Sequence, residues 1–93
     1  MATHASLKEI LESNAVYGAI VGNFVPLSHP MLCVQRRHSI DLYYIFATSP
    51  ARFVFLLSYP INGKIREIAK IPLTTGDAIL VWCEEWKVRN QHS

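Results

Sequence analysis

The hydrophobic pattern is densest in the middle of the chain, where two segments abandon the alternation of a half-exposed strand. In residues 53–59, FVFLLSY, alternation puts Phe53, Phe55, Leu57 and Tyr59 on one face and Val54, Leu56 and Ser58 on the other. In residues 42–47, LYYIFA, Leu42, Tyr44 and Phe46 oppose Tyr43, Ile45 and Ala47. A strand with one solvated face carries polar residues at every second position. These segments are apolar on both faces over most of their length, so a sheet that contains them must be covered twice. Burying one large apolar side chain is worth about 1.5–3 kcal/mol, which makes an uncovered face a severe liability. A barrel wall, a second copy of the chain, a partner or an apolar ligand could cover it.

Around this centre the pattern predicts an α+β fold: a short N-terminal helix, then an antiparallel meander or small barrel of five to six strands. The helix is expected over residues 6–13. Ser6 and Glu9 have capping-box spacing, Leu7, Ile10 and Leu11 form the apolar stripe, and Asn14 can end it. Strands are expected at 16–27, 31–34, 40–48 and 53–59, with turns carried by Ser28, His29 and Pro30, by Ser49 and Pro50, and by Pro60 to Gly63. Gly18 and Gly22 sit four apart in the first of these, where they suit a bulge or a close approach. Asn62-Gly63 is a strong hairpin signal. Residues 64–73 read as an edge strand with a bulge near Glu67, or as a helix with Ile65, Ile68 and Ala69 on one face. Residues 77–89 read as a strand, AILVWC, or as a helix capped by Thr74. No linker or repeat divides the chain, so residues 1–93 form a single domain.

Composition sharpens the covering problem. Of the 93 residues, 51% are hydrophobic and 17% charged, below the usual quarter. A domain of this length has a modest core, so surplus apolar surface favours self-association. Net charge is only +2, too little to imply nucleic acid by itself. Cys33 and Cys83 lie in apolar runs without a paired neighbour and read as free thiols in a reducing compartment. No basic start followed by an apolar run marks a signal peptide. The nearly uncharged stretch 42–61 contains Pro50 and Arg52, which argues against a membrane span. The expected location is cytoplasmic.

Candidate chemistry is thin. His29 and Cys33 form one possible metal-ligand pair, where zinc wants four ligands. Cys33 or Ser39 with His38 and Asp41 supplies the residue types of a triad. Neighbours along a strand point to opposite faces, however, so His38 and Ser39 do not meet. No phosphate-binding loop, nucleophile elbow or metalloprotease motif occurs. The expected function is therefore non-enzymatic and free of cofactor and metal. It is a protein-interaction module of the inhibitor, adaptor or viral and mobile-element accessory kind, self-associating as a homodimer. Tyr43, Ile45, Phe53, Phe55 and Leu57 are the residues expected at the self-association face, and Arg36, Arg37 and Trp86 those expected to meet a protein partner. The alternative is a β-rich domain binding single-stranded RNA. Arg36, Arg37, His38, Arg52, Lys64, Arg66 and Lys70 would meet its phosphates, and Tyr43, Tyr44, Phe53 and Tyr59 would stack its bases.

Overall fold

A computed structural model of the chain describes residues 4–12, 16–25 and 29–84. The described residues form β1 (His4–Ala5), α1 (Leu7–Glu12), β2 (Gly18–Gly22), β3 (Met31–Gln35), β4 (Ser39–Phe46), β5 (Arg52–Pro60), β6 (Lys64–Leu73) and β7 (Gly76–Glu84). Strands β2 to β5 make the antiparallel meander the pattern predicts, and β1 adds to the far side of β5, giving the order β1-β5-β4-β3-β2. Strands β6 and β7 form a separate two-stranded sheet, and the described strands do not close into a barrel.

The helix is short but well capped. Glu9 N–H donates to Ser6 Oγ at 3.1 Å, and Ser6 N–H donates to Glu9 Oε1 at 2.9 Å, so both arms of the capping box are made. Of the expected stripe only Ile10 is buried, while Leu7 and Leu11 remain exposed. Six residues is too short a helix to stand alone. Ile10 pins it to the sheet by packing with Leu32, Val34, Tyr43 and Phe53.

The opposite face of the sheet carries Cys33, Ile40 and Leu42, and the β6–β7 hairpin covers it with Ile65, Ile68, Ile79 and Val81. The two apolar faces inferred from the sequence are thus covered within one chain, by a helix on one side and a hairpin on the other. Strand β3 lies between them, and all five of its residues are buried.

Two local features differ from the expected pattern. Leu42 pairs with Leu57 but Tyr43 pairs with Phe55, so Leu56 is an extra residue in β5. A bulge of this kind flips everything beyond it. Phe53 and Phe55 share the helix side with Tyr43, whereas Leu57 and Tyr59 lie on the hairpin side with Leu42 and Ile40. The single face expected for Phe53, Phe55, Leu57 and Tyr59 is therefore split in two.

The second difference is at Asn62-Gly63. Gly63 has a positive φ of 118°, but β5 and β6 do not pair. Instead Ile61 N–H donates to His38 O at 2.8 Å and Ile65 N–H donates to Arg37 O at 2.9 Å. These two bonds hand the chain from the sheet edge to the β3–β4 loop, and β6 crosses onto the other face. The β6 bulge falls where expected, with Arg66 the extra residue between Ile65 and Glu67. The segment after Thr75 is a strand as far as Glu84, and the rest of 77–89 lies outside the described residues, as does Asn14. Where the hairpin crosses β2, Gly22 leaves room for the side chains of the hairpin. A Cβ there would lie 2.7 Å from Lys70 Cδ and 2.8 Å from Asp77 Oδ2, the carboxylate oxygen that accepts from Asn23 N–H.

Candidate functional site

Three surfaces stand out. The first is the outer edge of β5. Strand β4 pairs with the inner side of β5, and on the outer side β1 pairs only with Phe53 and Val54, so among the described residues nothing pairs with that outer side from Phe55 to Pro60. An unpaired edge presents a row of N–H and C=O groups that can template another strand. Proteins usually protect such edges with charged side chains, but this one carries Phe55, Leu57 and Tyr59, exposed by 48%, 41% and 59%. Phe55 is steadied from inside by an edge-to-face contact with Tyr43 at 5.6 Å.

The second surface is the outer face of the β6–β7 hairpin. Cross-strand pairing puts Ile71, Leu73, Leu80 and Trp82 on the side away from the core, and all four are exposed.

The third is a polar cleft beside β2, with a volume of about 460 Å³. Tyr17, Gln35, Lys64, Ile65, Arg66 and Glu84 line it. Three separate pieces of chain meet there because Tyr17 N–H donates to Gln35 O at 2.9 Å and the start of β6 is tied to Arg37. Arg37 Nη2 donates to Tyr17 OH at 2.6 Å, and its guanidinium lies 5.4 Å from the ring centroid. Arg66 Nη1 is 3.7 Å from Glu84 Oε2, an exposed pair of little energetic weight. Gln35, which also lines the cleft, is 4% exposed.

The structure distributes the residues singled out from the sequence unevenly. Of the self-association set, Tyr43 and Phe53 belong to the core beneath α1, and Ile45 packs against that cluster. Phe55 and Leu57 are exposed at the β5 edge but on opposite faces. Of the partner set, Arg36 is committed inside the chain: its Nε donates to Asp41 Oδ2 at 3.0 Å, and Ser58 Oγ donates to Asp41 Oδ1 at 2.7 Å. Arg37 is exposed, and Trp86 lies outside the described residues. The set proposed to stack RNA bases loses Tyr43 and Phe53 to the core.

The residues considered for catalysis or metal binding do not converge. Cys33 is fully buried, and burial first, with the Asp41 carboxylate second, pushes its thiol up to about 12. A protonated, enclosed thiol is a poor nucleophile and ligand. His38 Nδ1 is 2.9 Å from Gly63 O, and Asp41 is occupied by Arg36 and Ser58. Among the described residues no group of three His, Cys, Asp or Glu side chains is placed to hold a metal, and no helix is long and apolar enough to cross a membrane.

Sequence reasoning missed the cleft. Gln35 falls just beyond the strand expected at 31–34, and Tyr17 within the apolar strand expected at 16–27. Their meeting with Lys64 and Arg66 depends on the path of β6, which no local pattern encodes. Comparison of the chain with protein-family models, with curated proteins and with solved structures finds no match.

Proposed function

We propose that the protein is a non-enzymatic interaction module that self-associates through the free edge of β5, in a reducing compartment such as the cytoplasm. The observation that carries this reading is the outer side of β5 from Phe55 to Pro60, unpaired among the described residues, with its three exposed apolar side chains. An antiparallel strand edge is self-complementary about a two-fold axis, so two copies joined there make one continuous sheet. Because the bulge at Leu56 splits the exposed side chains between the faces, Phe55 would extend the apolar strip on the helix side and Leu57 that on the hairpin side. Each contributes only the part still exposed, so the contact is small and the dimer weak, at micromolar concentration or above. The same edge would accept an extended segment of a partner protein, which is how an adaptor or inhibitor of this size would work.

Sedimentation velocity between about 5 and 200 μM tests the reading, a range set by the weak affinity expected of a small interface. Leu57→Lys places a charge at the centre of the edge without disturbing the core and is expected to give a monomer throughout. Leu80→Lys, on the outer face of the hairpin, is expected to leave the dimer intact. A wild-type monomer at every concentration, or a dimer lost by Leu80→Lys and kept by Leu57→Lys, refutes it.

A further inference from the structure

Gln35, which lines the cleft beside β2, carries a polar group that no described residue satisfies. Gln35 is buried, and its Nε2 donates to Ile65 O at 3.4 Å. Among the described residues no donor reaches its Oε1. That oxygen lies against Gly18, where a Cβ would stand 2.8 Å away. Glycine at that cross-strand position therefore makes room for the amide, and a buried acceptor with no donor is the kind of group a ligand completes.

We propose that this cleft binds a nucleotide, its base against Tyr17 and Gln35 and its phosphate against Lys64 and Arg66. Tyr17 is 51% exposed, and Arg37 holds its ring by a hydrogen bond and a cation–π contact. A ring fixed in this way is a stacking platform. Lys64 has no ion-pair partner among the described residues, and Arg66 has only the exposed contact to Glu84. Both cations line the same cleft, whose volume of about 460 Å³ falls in the range of small-molecule sites.

The combination selects the ligand class. A bare anion satisfies the cations but brings no donor for Gln35 Oε1. A neutral ring satisfies Tyr17 and Gln35 but leaves the cations solvated. A nucleotide carries a flat base with N–H donors and, a sugar away, a phosphate. Glu84 opposes the phosphate, so its removal should strengthen binding.

The test is a heteronuclear NMR titration of the full chain with 5′-AMP, adenosine, inorganic phosphate, an acidic hexapeptide and a single-stranded adenine hexanucleotide RNA. With AMP, the Gln35 side-chain amide and the backbone of Tyr17, Ile65 and Arg66 are expected to shift saturably. Tyr17→Ala is expected to weaken binding about tenfold, from the loss of one base stack. Lys64→Glu with Arg66→Glu, both exposed changes, should abolish it, while Glu84→Gln should strengthen it severalfold. Adenosine and phosphate should each bind at least tenfold more weakly than AMP. Tighter binding by the RNA identifies a nucleic-acid strand as the source of the nucleotide, and equal binding identifies the free nucleotide. The proposal is overturned if neither AMP nor RNA moves the Gln35 amide at millimolar concentration. It is equally overturned if phosphate alone or the acidic peptide binds as tightly as AMP.

Discussion

Ile68→Ala measures how firmly the β6–β7 hairpin seals the second face of the sheet. Ile68 is 7% exposed and packs with Cys33, Ile40 and Ile65. The substitution removes three carbons, worth about 2.4 kcal/mol at roughly 0.8 kcal/mol per buried methylene. A residual cavity adds to this, and such changes cost about 2–5 kcal/mol in well-packed cores. We expect about 3 kcal/mol. At 0.05–0.15 kcal/mol per residue, a domain of this length has a total stability of roughly 5–14 kcal/mol, so the loss is a large share of it. Ile71→Ala, three residues along the same strand, is the internal control. Ile71 is 38% exposed on the outer face, and its truncation should cost less than about 1 kcal/mol. Urea unfolding followed by far-ultraviolet circular dichroism gives both numbers, with an unchanged m-value as the sign that the two end states are the same. A cost below about 1 kcal/mol for Ile68→Ala, or equal costs for the two variants, refutes the packing of the hairpin against the sheet.

Other positions give further checks. Ser6→Ala removes the acceptor for Glu9 N–H and should cost about 0.5–2 kcal/mol in the same urea assay. Gly22→Ala should cost about 1 kcal/mol, because its Cβ pushes aside the side-chain ends of Lys70 and Phe24 and the Asp77 carboxylate that accepts from Asn23 N–H. Hydrogen exchange should show the loss in β6 and β7. At pH 8, maleimide should label Cys83 in native protein and leave Cys33 untouched until the chain unfolds. Cys33 also sets an alkaline limit. Its folded pKa lies above the ordinary 9.0, so the unfolded chain loses the proton first and stability falls as pH rises from 9 toward 12. Urea midpoints at pH 8 and pH 10 should show a loss of about 1 kcal/mol in wild type beyond that in Cys33→Ala, and equal losses count against the buried thiol.

Much of the architecture was legible in the order of residues. The capping box, the meander, the β6 bulge and a sheet covered on both faces all follow from local rules: hydroxyl and carboxylate three apart, β-branched runs between turns, and apolar residues at consecutive positions. What covers the second face was not legible. Asn62-Gly63 signals a hairpin, yet β6 leaves the sheet because Ile61 and Ile65 find acceptors in the Arg37–His38 loop. One extra residue at Leu56 then reverses which side chains of β5 share a face. Both are decided by bonds between distant segments, and a period-two pattern carries no information about them. The candidate sites depend on the same two decisions. Among the described residues, the outer edge of β5 is free because β1 pairs with two of its residues and β6 with none. The cleft exists because β6 starts beside Tyr17 and Gln35. The sequence by itself determined how much apolar surface had to be buried and which residues would do it. The tertiary structure decided which of them were left over, and where.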